Sequence, residues 1–335
     1  MLEKILGGLV GLAMGDAWAM PALLTPGDTR KHFKGWIDDF YAAPDEHPVH
    51  HGLPAGRVTD DTEQAFALAE AIITEGGVSM EGTAQALLQW YQRVDGDTCA
   101  YIGPSTQRAI VAILAGEDIS KTGRFGDTNG AAMRVAPVGF IHPGDIEGAV
   151  HDAYLTCIPT HNTDVAVSGA SAIAGAIATA MQPGVSLDEI IAAGMKAADL
   201  GRAFGERWIG ASISRRIDQA VEIARSNSSS EYSRLQEIYD LIGASLSITE
   251  SVPAAFGVLA MGRGDPKQTA IYAAGLSGDA DTIGAMACAI AGTWKGITVI
   301  PYQYFLKLRK KNPELDFDKT AEGLFQVIQR RNQEK

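Results

Sequence analysis

Long apolar runs, paired cysteines, an excess of positive charge and alternating strand patterns are all missing or scarce in this 335-residue chain. No stretch approaches the ~20 consecutive apolar residues that cross a bilayer, so no membrane-spanning helix is expected and the membrane is not among its partners. Three cysteines, Cys99, Cys157 and Cys288, are too few and too far apart for a disulfide framework. None has a C-x-x-C partner, which excludes a thiolate zinc site. All three lie beside small or apolar residues, as buried thiols in a reducing cytoplasm do. Lysine and arginine number 28 against 40 aspartates and glutamates, a formal net charge of −12. That deficit argues against a nucleic-acid partner, because phosphate binding needs basic surface. It leaves room for a small anionic ligand, provided a bound cation or a few arginines invert the field of one cleft.

What is present describes a globular protein: 46% hydrophobic and 20% charged residues over a length able to bury roughly three quarters of its unfolded surface. The N-terminus, with Lys4, the apolar Ile5–Leu12 stretch and Ala17-Trp18-Ala19, superficially resembles a secretion signal. The stretch is short and glycine-rich, Glu3 dilutes its positive end, and Asp16 places a charge where none is welcome. A cytoplasmic protein is expected.

Apolar residues recur with helical spacing at Ala65, Phe66, Leu68, Ala69 and Ile72, predicting a helix over 62–73. Similar patterns predict helices over 81–94, 104–115, 146–155, 165–181, 187–198, 205–224, 235–241, 252–261, 266–274 and 283–294. Turn signals separate them at Gly76-Gly77, Pro183-Gly184 and 227–230. The fold class is therefore all-α. No composition break or fixed repeat marks a boundary, so residues 1–335 read as one domain. Gly169–Ala180 and Gly284–Gly292 consist largely of Ala, Gly, Ser and Ile, the composition of helices that lie centrally with others packed around them. Thr25–Arg57 is the one long irregular stretch; its histidines His47, His50 and His51 leave a metal site open, but they read first as surface residues, since no helix fixes their spacing.

Two acidic clusters carry the chemistry. In Thr59-Asp60-Asp61-Thr62-Glu63, adjacent carboxylates and hydroxyls crowd the start of a helix. Asp60 and Glu63 alone would make a capping box, but one acid satisfies that role. In Ser277-Gly278-Asp279-Ala280-Asp281-Thr282, an Asp-x-Asp spacing lets two carboxylates converge on one oxygen-seeking cation. Ile290 stands where a calcium EF-hand loop would need glutamate. Asp16 could join these acids. Carboxylate and hydroxyl oxygens suit magnesium, manganese or calcium rather than zinc or copper.

Gly15-Asp16-Ala17 with Met20-Pro21, Thr59-Asp60-Asp61-Thr62 and Gly278-Asp279-Ala280-Asp281-Thr282 resemble motifs of the ADP-ribosylglycohydrolase family, with Asn129–Arg134 and Pro159-Thr160-His161 as further motifs in the expected order. The resemblance runs from about residue 5 to 295. It implies an all-helical domain around two Mg2+ ions, or Mn2+, and hydrolysis of a glycosidic bond to ribose. Thr59, Asp60, Asp61, Asp279, Asp281 and Thr282 would be metal ligands, with Asp281 between the ions. Asp60 or Asp61 would take the proton of the attacking water. Asp16, Asn129, Gly130, Arg134 and His161 would serve the substrate. Many relatives carry glutamate where this chain has Leu23, so Asp38, Asp39 or Glu46 would substitute or the substrate differs. The expected substrate is an ADP-ribosylated protein or a small ribosyl compound. A nucleosidase-like activity and a silent ADP-ribose binder are the alternatives. Oligomeric state is left open.

Overall fold

The computed structural model describes residues 1–227 and 230–333. Among them the chain is helical throughout, with two isolated bridges, Thr128 with Ser247 and Thr163 with Glu206, as the remnants of extended pairing. The all-α expectation holds. So does the absence of a membrane-crossing segment among these residues, since no helix is long and apolar enough. Part of the expected 227–230 turn, Ser228 and Ser229, lies outside the described residues.

Three helices build the site, α1 (Leu2–Ala19), α2 (Asp60–Glu75) and α4 (Ala280–Lys295), and α3 (Asp164–Ala180) belongs to the core. α1 occupies the segment that superficially resembled a secretion signal. It is apolar on every side, and each residue from Gly7 to Ala19 is buried; a helix without a polar face must lie inside the protein. Its broadest contact is with α4, which runs antiparallel to it. The reason is a ladder of glycines: Gly7, Gly11 and Gly15 on α1 face Gly292, Cys288 and Gly284 on α4. A Cβ on Gly15 would run into the Gly284 carbonyl oxygen, and one on Gly292 into that of Gly7. Only bare backbone lets the two axes approach so closely. This contact sets the end of α1, with Asp16, beside the start of α4, with Asp281.

α3 is buried along almost its whole length, as its small-residue composition led us to expect. The core is one large cluster with a satellite around Leu87, Trp90, Tyr91 and Ile110. Helix boundaries differ from the periodicity in two informative places. The helix expected from 205 begins only at Ile213, where Ser212 caps it by accepting from the Arg215 N–H. The irregular 25–57 stretch contains one short helix, Pro26–His32, capped by Thr25.

Candidate functional site

The starts of α2 and α4 meet at the end of α1, and the two acidic motifs come together there. Asp16 accepts from the Thr59 N–H (3.0 Å), the Thr59 hydroxyl (3.0 Å), and the N–H and hydroxyl of Thr62. It thereby caps α2 from a neighbouring helix, a role that Thr59 leaves vacant. The local capping box does not form. Glu63 instead accepts from Arg57 (2.8 Å) and the Trp90 indole (3.0 Å), and Asp60 accepts from the Gln64 amide (3.0 Å).

The entry to α4 is held from both sides. The Asp279 N–H donates to the Ala244 carbonyl (2.7 Å), and the Gly278 N–H donates to that of Leu23 (3.2 Å). Ser277 is buried with φ +68°, a strained setting for a residue with a side chain, and its hydroxyl donates to Thr29 (2.7 Å). Asn129 donates to Asp279 Oδ2.

Asp16, Asp60, Asp61 and Asp281 are buried and Asp279 is half-buried, and no lysine or arginine among the described residues bonds to any of them. Burial pushes each carboxyl above its ordinary range: Asp16 and Asp279 to about 7, Asp281 to about 6, and Asp60 and Asp61 well upward. The charge of Asp281 adds to the rise at each of the other four, so it sits electrically at the centre. One Asp61 oxygen, Oδ1, is buried without any hydrogen-bond partner; its other oxygen lies 2.9 Å from the Thr59 hydroxyl, whose one proton it shares with Asp16. Protons or a cation can relieve acids crowded in such number, and the unsatisfied carboxylate oxygen is where a cation would be felt.

The donor set fits a hard divalent ion in kind. As the side chains stand, no three His, Cys, Asp or Glu residues among those described close on a single point. An ion here would therefore complete its shell with the Thr59 and Thr282 hydroxyls and with water, as magnesium commonly does.

Above the acids lies a cavity of about 620 Å3. Asp60, Asn129, Gly130, Asp279, Asp281 and Thr282 line it; Thr59, Asp61 and Asp16 lie one layer deeper. Its lining also includes the apolar Ile102, Met133 and Leu246. Among the described residues no lysine or arginine lines it.

Three expectations about substrate residues are corrected. Asp16 is spent on capping α2 and does not reach the cavity. Arg134 is wholly buried, its guanidinium donating to Gln64 Oε1 (3.0 Å) and Thr160 Oγ1 (2.6 Å), so it braces α2 instead of meeting a phosphate. Burial pulls it down to about 10. His161 stands behind Gly130, between the hydroxyls of Thr160 (2.7 Å) and Thr128 (3.0 Å), and does not line the cavity. Burial lowers its pKa well below the usual histidine value, keeping the ring neutral. Its bulk explains Gly130, where a Cβ would come within 2.8 Å of the imidazole.

A fourth correction concerns the histidines. His47 and His50 are buried and line the cavity, and His50 Nε2 lies 3.2 Å from Asp281 Oδ2. Only His51 is exposed. None of the acids that were expected to stand in at the Leu23 position reaches the site. Asp38 accepts from Tyr41, Asp39 binds Lys307 and Glu46 faces His32. No periodicity signals the burial of loop histidines; the nearest hint was their clustering in one long segment.

A family model described as ADP-ribosylglycohydrolase matches residues 1–334. The chain belongs to the ADP-ribosylglycohydrolase family. Members are hydrolases of glycosidic bonds to ADP-ribose, and this chain is an enzyme of that class. It is 36% identical to the uncharacterized protein YegU of Escherichia coli over 98% of both chains. It is 25% identical to the ADP-ribosylarginine hydrolase Tri1 of Pseudomonas putida, over 92% of this chain and 74% of the relative. Among solved structures, an ADP-ribosylglycohydrolase-related protein complex matches over 98% of both chains at 23% identity with a TM-score of 0.69, a likeness of fold.

Proposed function

We propose that this ADP-ribosylglycohydrolase is a cytoplasmic, metal-dependent enzyme that uses two divalent cations, magnesium or manganese, to release ADP-ribose from a modified protein side chain or small molecule. The observation that carries the metal is the set of five clustered carboxylates, four buried and Asp279 half-buried, without a lysine or arginine partner among the described residues, together with the unpartnered Asp61 Oδ1 beneath the cavity. Thr59, Asp60 and Asp61 would hold the cations from α2, and Asp279, Asp281 and Thr282 from α4, with Asp281 between them. The electrical centrality of Asp281 supports that last assignment. Relatives named as ADP-ribosylarginine hydrolase and as ADP-ribosyl-[dinitrogen reductase] glycohydrolase favour a modified protein as the substrate. Three free cysteines, two of them buried, accord with a reducing compartment.

Bound cations would polarise the ribose hydroxyls and a water. The chain's own groups do the rest. Asp60 lines the cavity, where its ionised carboxylate would take a proton from an attacking water. Developing positive charge at the anomeric carbon would be stabilised by the neighbouring carboxylates. Gly130 lets backbone approach the sugar, and the Asn129 amide fixes Asp279. The buried side chains of Ile102 and Met133 in the cavity lining would limit the water that reaches the reacting bond.

A second reading has one observation in its favour. A diphosphate in this cavity would find no lysine or arginine, which suits a simpler ribosyl compound and a nucleosidase-like reaction. Turnover of ADP-ribosyl-arginine, ADP-ribosyl-serine and plain nucleosides, with magnesium and with chelator, separates the two by mass spectrometry of the product. Chelator-sensitive release of ADP-ribose supports the first reading. Release of ribose or ribose phosphate supports the second. Undiminished turnover in chelator removes the metal from both.

A further inference from the structure

His47 and His50 stack on one another, centroids 4.8 Å apart, yet their ring nitrogens are used differently. In His47 both nitrogens are spent on the loop. Nε2 donates to the Ala22 carbonyl (2.9 Å), and Nδ1 accepts from the N–H groups of Val49 (3.2 Å) and His50 (2.9 Å). In His50 only Nδ1 is spent, 3.1 Å from the Met20 carbonyl. A carbonyl oxygen accepts and never donates, so Nδ1 carries the hydrogen. The neutral ring then presents the Nε2 lone pair, and that atom faces Asp281 Oδ2 at 3.2 Å.

Two lone-pair atoms facing each other at hydrogen-bond distance, inside a site crowded with carboxylates, repel unless they share a positive centre, which a proton supplies in the metal-free protein and a metal ion would supply in the loaded one. Two ligands at right angles on an ion with bonds of ~2.1 Å stand about 3.0 Å apart, close to the observed spacing. The side chain is also committed to that orientation. His50 is 7% exposed, its Nδ1 is tied to the end of α1, and His47 covers its face.

We propose that His50 is a metal ligand, giving the carboxylate centre one nitrogen donor through Nε2. The proposal rests on the reading of this centre as a cation site. An imidazole beside oxygen donors favours manganese and later first-row ions over magnesium. His47 is a positioning residue: with both nitrogens tied to the loop, it holds His50 without touching the ion.

The test uses the full-length protein loaded with Mn2+ and read by electron spin-echo modulation, which detects nitrogen bound to manganese. The expected result is modulation from one imidazole 14N that changes to 15N when the histidines alone are labelled. It should vanish in folded His50→Gln and persist in His51→Ala. By calorimetry, His50→Gln should lower manganese affinity on the order of tenfold, since even outer partners of a ligand contribute that much. Magnesium affinity should fall less. If manganese binds without histidine-derived modulation, the His50 assignment is overturned and the cation site stands. Persistence of the signal in folded His50→Gln overturns it equally. If manganese does not bind at all, both the ligand and the cation site fail. Should His50→Gln not fold, the labelled wild-type protein still decides whether any histidine binds, and its absence from the spectrum defeats the proposal.

Discussion

Two buried acidic places in this protein are solved in opposite ways. Asp152 lies in the Ile146–Cys157 helix with His142 at 2.6 Å, His151 at 3.2 Å and Arg331 at 3.5 Å. Burial pushes its carboxyl up, but the hydrogen bond and charge of His142, with His151 and Arg331, outweigh that and hold it below the ordinary range. Of the five aspartates around α2 and α4, Asp16, Asp60, Asp61 and Asp281 are buried at least as deeply and Asp279 is half-buried; no lysine or arginine among the described residues answers them, and Asp281 faces only the neutral His50. Every one is pushed upward. A fold that wanted only stability would use the first arrangement. The second stores electrostatic cost where a ligand can relieve it, which is how a binding centre differs from a structural ion pair.

The widest separation between the two should come from neutralising one acid in each. Asp281→Asn should lower kcat/KM by about 100-fold or more, the scale of losing one electrostatic stabiliser of a transition state, and should abolish calorimetric binding of magnesium and manganese. Asp60→Asn should do the same; retained turnover in both variants would sink the metal scheme. Next comes Gly284→Ala, which changes no charge. Its Cβ meets the Gly15 backbone, so α1 and α4 must part; overpacking of this kind costs about 1–3 kcal/mol. Thermal unfolding should show the loss, and metal affinity should fall with it because Asp16 moves away from Asp281. Asp152→Asn is expected to be milder, about 1–2 kcal/mol of stability through a weakened buried pair. The folded fraction should keep wild-type kcat and metal affinity. A drop in either would mean that Asp152 communicates with the cavity, and the two places would no longer be independent.

The contrast was only half legible in the sequence. Asp60, Asp61, Asp279 and Asp281 stood out because acids adjacent to hydroxyls at helix starts exceed what capping needs, and the helices behind them announced themselves by periodicity. α1 did not, because a helix buried on every side has no apolar stripe, and its glycines look like flexibility until Gly284 and Gly292 are placed opposite them. Asp16 was legible as an acid and not as a cap, since the helix it caps begins 44 residues later at Asp60. Arg134 and His161 were taken for substrate contacts because their motif adjoins Asn129 and Gly130. Their side chains point the other way, to Gln64 and Thr160, a direction that spacing on a five-residue helix does not fix. His47 and His50 were misread for the same reason. Loop burial depends on tertiary contacts with Met20 and Ala22, which no local pattern encodes.

The smallest effect is a slope, and it opposes the two places directly. Asp16 and Asp279 near 7 and Asp281 near 6 bind protons in the folded state that the unfolded chain, with aspartates near 3.9, has already released. Their contribution to stability is full below about pH 4 and is lost as pH rises through about 7, because the folded state holds more protons across that window. Asp152 has the reverse sign: its stabilisation is present above the ordinary carboxylate range and is lost as pH falls through its depressed pKa. Unfolding followed from pH 5 to 8 in chelator should therefore show a declining contribution from the aspartate centre. Saturating magnesium or manganese should flatten or invert that decline, since the cation takes the place of the protons. Asp152→Asn should leave this slope unchanged, whereas Asp281→Asn should reduce it. A slope indifferent to both cation and Asp281 would mean that these carboxylates are not the groups exchanging protons for metal.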